Sequence, residues 1–293
     1  MTGSCWPPAS ARFEISIDDL EYPALLAQTA DAPKVLRGFG DPRSLAECVA
    51  VIGARKATPY GLKSARLFAG WAAGAGYVVV SGAAIGCDSA AHRAALEAGG
   101  RTVAVLGCGA DVTYPQSAAR LLAQIAESGA VVSEFEWGYP PAKWTFRARN
   151  RIIAGLARAL LVVEAGLGSG TFTTADYALD AGREVMVVPG SIFAPECSGS
   201  NRLLSQGATP VSDISEFRAV VECRLGPPER DALEQQPPGS CDPVLAALRV
   251  NPTRPDDLAR ELGLDIVQVA RRIGALEQEG VIAKYRDGRY GLC

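Results

Sequence analysis

Between Cys48 and Thr209 the apolar positions come in unbroken runs: VAVIG at 49–53, YVVVSG at 77–82, TVAVLG at 102–107, AVVSE at 130–134, ALLVVEAG at 159–166 and EVMVVPG at 184–190. Continuous rather than alternating apolar runs mark strands buried on both faces. Alanine-rich stretches of helical character separate them, at about 60–75, 87–99, 117–128, 149–157 and 171–182. Strand and helix in alternation predict an α/β fold, a Rossmann-like, doubly wound and mostly parallel sheet. Nearly every run ends in Gly or Ser-Gly, which places small loops at the carboxyl edge, where this architecture binds its ligands.

The pattern changes beyond this region. Residues 224–242, rich in Pro, Gln and charge, read as a linker. A compact module over 243–293 follows. It comprises a short helix over Pro243–Arg249, a second capped by Thr253 in Thr253-x-x-Asp256, and a third capped by Asp265. The third carries Ile266, Val269, Ile273 and Leu276 on one face and Gln268, Arg271 and Arg272 outward. Two short strands then flank Asp287-Gly288, a hairpin signal. Three helices and a hairpin make a small C-terminal winged-helix domain. Residues 1–45 read as an N-terminal lead-in, with a short helix and a strand leading into the sheet, and 46–223 as the extended Rossmann-like domain.

Charge sharpens this picture locally. The formal net charge of −3 argues against a wholesale polycation, yet anion binding follows local potential. Gly138–Arg158 holds Lys143, Arg147, Arg149, Arg151 and Arg158 and no Asp or Glu. Trp137, Tyr139, Trp144 and Phe146 are interleaved with these cations. Cations for the backbone and aromatics for the bases are the composition of a single-strand nucleic-acid surface. Four strand-end loops could cradle phosphate through backbone amides at helix starts. They are Gly53-Ala-Arg55 followed by Lys56, Ser81-Gly82 leading to Asp88 and His92, Gly107–Asp111 with Tyr114-Pro115, and Gly166–Thr171. Asp88 reads equally as a helix cap, and the lone His92 as a packed, hydrogen-bonded side chain.

Other chemistries find little support. There is no Walker A sequence and no full G-x-G-x-x-G with a following acid, so neither ATP hydrolysis by that route nor a nicotinamide cofactor is expected. Eight scattered cysteines without a C-x-x-C pair and a single histidine argue against zinc and against a disulfide framework. No nucleophile–base constellation emerges. No apolar run of about 18 residues predicts a membrane span, and MTGSCWPPAS is not a secretory leader; a cytoplasmic protein is expected.

Seven blocks, in order and spacing, resemble the DNA-processing protein A (DprA/Smf) family. They are Gly53-Ala-Arg55, SGAAIGCDSAAH (81–92), GCGADVTYP (107–115), RNRIIAGLA (149–157), VVEAGLGSGTFTTA (162–175), AGREVMVVPG (181–190) and GSNRLLSQGA (199–208). The resemblance covers about 20–215, and the tail is similar to the winged helix of many members. It implies a non-enzymatic homodimer without a cofactor. Such a protein binds incoming single-stranded DNA in natural transformation, loads a RecA-type recombinase onto it and helps displace single-strand-binding protein. The expected DNA-binding set is Gly53, Arg55, Lys56, Ser81, Gly82, Lys143, Trp144, Phe146, Arg147, Arg149, Asn150, Arg151, Gly168, Ser169, Gly170 and Thr171.

Departures from the family pattern are few. Phe146 is followed by Arg147 where the family has Phe-Pro, and Cys87 stands in a Gly-Ile-Asp block. The 45 residues before the first strand run are too few for the family's helical N-terminal domain of the sterile-alpha-motif type. Two rivals remain. One is a nucleotide phosphoribohydrolase of the LOG type, although Thr174 occupies the position of that enzyme's catalytic glutamate. The other is a winged-helix transcription regulator, although Glu277, Glu279 and Asp287 dilute the positive charge of the module.

Overall fold

The computed structural model describes residues 6–8, 12–227, 243–250, 252–278, 281–285 and 288–292. They fall into two compact units, Met1–Ala232 and Leu233–Cys293.

The first unit is built on one nine-stranded sheet. Its strands are β1 (Arg12–Ser16), β2 (Val35–Gly40), β3 (Cys48–Ile52), β4 (Val78–Ser81), β5 (Thr102–Val105), β6 (Ala130–Ser133), β7 (Ala157–Val162), β8 (Glu184–Val187) and β9 (Thr209–Pro210). The spatial order is β1-β2-β6-β5-β4-β3-β7-β8-β9. Every pairing from β6 through β9 is parallel, while β1 pairs β2 and β2 pairs β6 antiparallel. The fold class read from the sequence is therefore borne out. The lead-in contributes more than a connecting strand: β1 and β2, joined through helix α1 (Ala24–Ala27), form one edge of the sheet itself. All residues of β3, β4, β5 and β6 are buried, as continuous apolar runs require.

Helices cover both faces. On one side α2 (Pro59–Gly74), α3 (Cys87–Glu97) and α8 (Ile214–Leu225) pack over Val49, Val51, Val79 and Leu161. On the other, α5 (Lys143–Leu156), α6 (Thr171–Asp180) and α7 (Ser198–Ser205) pack over Ala50, Val80, Val103 and Leu160. Helix α4 (Ala119–Ser128) closes a third apolar cluster with Phe39, Leu106 and Val131. The chain winds outward from β3 through β4, β5 and β6, then returns through α5 to lay β7 on the other flank of β3. Winding reverses between β3 and β7, and in an open α/β sheet that reversal opens a crevice at the carboxyl ends of the two strands.

Helix α5 begins at Lys143, six residues earlier than the apolar pattern placed it, so Lys143, Arg147, Arg149 and Arg151 are all helical, while Arg158 lies in β7. The signal was present. Pro140-Pro141 ends the preceding loop, and the buried positions Thr145, Arg149, Ile152, Ile153 and Leu156 follow the helical repeat, with arginine at one of them.

In the second unit α9 (Pro243–Val250), α10 (Pro255–Leu262) and α11 (Ile266–Gln278) surround a core of Val244, Leu248, Leu258, Val269, Ile273 and Leu276. β10 (Ile282–Lys284) and β11 (Tyr290–Leu292) pair antiparallel. Asp265 caps α11, accepting from the Val267 amide at 2.9 Å. Thr253 does not cap α10. The N-cap is Arg254, whose side chain makes no capping hydrogen bond, and Thr253 pairs with the backbone of Tyr290. Ile266 is exposed rather than packed with the other three. Asp287 and Glu279 lie outside the described residues; Gly288 has φ +84°, the left-handed conformation a tight turn takes from glycine. Among the described residues no helix is long and apolar enough to cross a membrane.

Candidate nucleic-acid interface

The crevice at the β3/β7 reversal is a cleft of about 940 Å³. Its first wall is the loop after β3. Gly53 packs against Cys87, and a Cβ there would stand 2.6 Å from the thiol sulfur. Gly86, with φ +93°, lets α3 start directly under the Ala54 carbonyl, which a side chain at that position would strike at 2.3 Å. At its far end the loop is held by Glu164, a fully buried carboxylate that accepts from the Thr58 amide at 3.0 Å and from the Thr58 hydroxyl. Thr58 in turn caps α2 through the Gly61 amide. Arg55 and Lys56, exposed between these anchors, line the cleft.

The second wall is the start of α5, which contributes Lys143, Trp144, Phe146, Arg147, Arg149 and Asn150. Phe146 lies between Arg55, whose guanidinium is 5.1 Å from the ring centre, and Tyr114 at 5.2 Å. Trp144 is 56% exposed and edges against Phe135 and Tyr139. The third wall, Gly168–Thr171, is the loop before α6. Its N-cap, Gly170, offers no side-chain acceptor. The Thr171 amide bonds Ser169 Oγ at 3.2 Å, and the following amides of the first turn have no side-chain cap. Asn150 Nδ2 donates to the Gly170 carbonyl at 3.4 Å, joining the second and third walls.

Arg149 forms the floor. It is 4% exposed. Residues two apart on a helix point roughly 200° apart, so Arg149 turns inward where Arg147 and Arg151 do not. Its Nη1 donates to the Gly82 carbonyl at 2.6 Å and to the Val105 carbonyl at 2.5 Å, and its Nε to Asn150 Oδ1 at 3.0 Å. Nη2 makes no hydrogen bond to protein among the described residues, and Arg149 lines the cleft. Burial pulls its pKa below the ordinary arginine value, with Asp88 acting in the opposite sense. Asp88 is the one carboxylate lining the cleft. It accepts the Ala84 amide at 3.4 Å, and burial raises its pKa while Arg149 lowers it. No direct ion pair joins the two among the described residues.

Thirteen of the sixteen expected residues therefore line one cleft, and Ser81, Gly82 and Arg151 do not. Ser81 is buried, its hydroxyl spent on the Val51 carbonyl at 2.7 Å. Gly82 acts from behind: a Cβ would sit 2.1 Å from Arg149 Nη1, so only glycine admits the arginine. Arg151 is committed to Glu134 at 2.5 Å. Arg158 is likewise paired, with Glu47, so three of the five cations between 138 and 158 face the cleft. Trp137 is also spent elsewhere, donating to Glu14 at 2.5 Å and packing on Phe39.

Asp88, Tyr114 and Thr174 line the cleft although they were outside the expected set. Tyr114 and Asp88 sat in strand-end loops already singled out by composition, and Thr174 in the block 162–175, at the position compared with the phosphoribohydrolase glutamate. His92 is fully buried and bonded through Nδ1 to Thr102 Oγ1 at 2.7 Å, in agreement with the packed reading. Among the described residues no group of three or more His, Cys, Asp or Glu is placed to hold a metal ion.

Comparison with known proteins bears on the same blocks. Residues 14–222 match the family model described as DNA recombination-mediator protein A, and residues 227–288 match the DprA winged helix domain. The Smf protein of Escherichia coli K12 is 37% identical over 293 residues, covering 97% of this chain and 78% of the relative. The X-ray structure of DNA processing protein A from Streptococcus pneumoniae is 41% identical with a TM-score of 0.68, over 71% of this chain and 73% of that one. A structure of DNA processing protein A from Helicobacter pylori, described for its single-stranded DNA binding mode, is 29% identical with a TM-score of 0.67, over 74% of this chain and 98% of that one. With family models matched across both the sheet and the tail, the chain belongs to the DNA recombination-mediator protein A family, the DNA-processing proteins with a C-terminal winged helix.

Proposed function

We propose that the cleft at the β3/β7 reversal binds single-stranded DNA, and that through it the protein acts as a mediator that loads a RecA-type recombinase. The observation that carries the reading is the composition of the cleft: five cations, Arg55, Lys56, Lys143, Arg147 and Arg149, against the single carboxylate of Asp88. Cations track the phosphates, and Trp144, Phe146 and Tyr114 offer ring faces on which bases stack, at about 1–3 kcal/mol per base. The single-strand binding mode described for the Helicobacter pylori relative supports the same ligand.

Family membership supports the remaining parts of the proposal: the recombinase partner, displacement of single-strand-binding protein, and a homodimer. No catalytic step is assigned. Thr174, at the position of the phosphoribohydrolase glutamate, lines the cleft and carries no group able to take a proton from water near neutral pH. The comparisons favour neither that enzyme nor a transcription regulator.

The test is fluorescence anisotropy with labelled oligo-dT and a duplex counterpart, for wild type and Arg55→Ala at two salt concentrations. The expected outcome is tight single-strand binding that weakens about tenfold in the variant, or about 1.4 kcal/mol. Its salt slope should be roughly −0.7 per phosphate contacted. Binding that ignores Arg55 and salt would overturn the reading.

A further inference from the structure

The floor of the cleft asks for more negative charge than an internal phosphodiester supplies. Arg149 is a buried cation whose hydrogen-bonded protein partners are neutral: two carbonyls and one amide oxygen. Asp88, the carboxylate of the cleft, acts on it electrostatically but forms no direct ion pair with it among the described residues, and a buried charge without a bonded counter-charge is costly. Nη2 has no protein acceptor among the described residues. Beside it, Asn150 ties α5 to Gly170 at the start of α6, where Ser169 accepts the Thr171 and Phe172 amides and the Thr173 amide is left without a side-chain cap. A ten-residue helix presents partial positive charge and first-turn amides at that end. The neighbouring α2 offers no such seat: Glu164 accepts the amide of its N-cap Thr58, Pro59 has no amide, and the Thr58 hydroxyl oxygen accepts the Gly61 amide.

Shape points the same way. A volume of about 940 Å³ falls within the range of roughly 300–1,000 Å³ typical of small-molecule sites. An internal phosphodiester seated on Arg149 would require the strand both to enter and to leave at that depth. A terminal phosphate requires a single path and brings close to two negative charges instead of one, as phosphate monoesters do near neutral pH.

We infer that the cleft floor, between Arg149 and the N-terminus of α6, is a seat for a nucleotide phosphomonoester, supplied either by a phosphorylated strand end or by a free nucleoside monophosphate. The inference rests on the single-strand reading of this cleft and narrows it. Arg149 and the α6 amides hold the monoester, while Arg55, Lys56 and Arg147 nearer the mouth carry the following phosphates.

The experiment uses the full chain and short oligo-dT in three forms: 5′-phosphorylated, 3′-phosphorylated and with hydroxyls at both ends. A competition arm adds dTMP, thymidine and inorganic phosphate. The expected result is that a phosphorylated end binds about fivefold tighter than the hydroxyl form, or about 1 kcal/mol, and that dTMP displaces the strand where thymidine does not. End preference without competition assigns the seat to strand ends, and competition without end preference assigns it to free nucleotides. Equal affinity for all three strands together with no effect of dTMP overturns the inference and leaves single-strand binding standing. If no strand binds at all, the functional reading itself has failed. Arg149→Lys keeps the charge but removes the fork and should abolish the end preference. Should that variant fail to fold, Gly170→Asp, at an exposed position where a Cβ meets nothing within 4 Å, sets a carboxylate on the α6 amides and should abolish it as well.

Discussion

At the residue scale the buried ionisable groups govern the pH response. His92 is the only histidine of the chain, and burial lowers its pKa from 6.5 to about 3. Thr102 Oγ1 donates to the Val79 carbonyl, so His92 Nδ1 is left to carry the proton and Nε2 is unpartnered. A pKa depressed on folding means stability that is full above pH 6.5 and is lost as pH falls towards 3, at about 1.4 kcal/mol per unit. Chemical denaturation of His92→Gln between pH 7 and 4 should show a shallower decline than wild type. Asp88 has the opposite sign. Burial raises its pKa and Arg149 lowers it, so its charge opposes DNA only above that raised value and disappears as pH falls through it. Asp88→Asn should bind oligo-dT several-fold tighter than wild type on the alkaline side of this titration, and acidification should bring wild type up to the variant. A wild-type affinity that stays flat while the variant's changes would refute this assignment.

Elements place these residues through a few long-range ties. The β3 loop owes its position to Glu164, 106 residues away from Thr58. Removing an N-cap costs about 1 kcal/mol, and hydrogen bonds to a charged acceptor about 1.5–3 kcal/mol. Glu164→Ala should therefore lower stability by about 2 kcal/mol, read from urea midpoints, and weaken DNA binding because Arg55 and Lys56 lose their anchor. Gly82→Ala tests the floor: its Cβ collides with Arg149 at 2.1 Å. The outcome expected in anisotropy is a loss of strand affinity exceeding that of Arg151→Ala, whose side chain is held by Glu134.

For the whole molecule, the sheet order concentrates function in one place. A single reversal of winding between β3 and β7 brings together loops that are more than 100 residues apart in sequence, and the cleft is lined wholly from the first unit. That unit has its own apolar clusters, as has the winged helix. A chain ending at residue 232 should keep the oligo-dT affinity of the full protein within about twofold, by titration under the same salt; a larger loss would place part of the binding energy in the C-terminal unit.

Much of this was determined by the sequence alone. Six unbroken apolar runs specify buried parallel strands, because only such strands tolerate apolar side chains on both faces. The Gly-rich endings specify the ligand edge, and seven ordered blocks specify the family. What the tertiary structure decided is the fate of each charge. Arg147, Arg149 and Arg151 look alike in the chain, yet one faces the cleft, one is its buried floor and one is neutralised by Glu134. Local sequence could not separate them. The groups that do so, namely the Gly82 and Val105 carbonyls and Glu134, lie 67, 44 and 17 residues away along the chain. A cation's role depends on which acceptors folding brings within hydrogen-bond reach, and that is a property of the packed sheet.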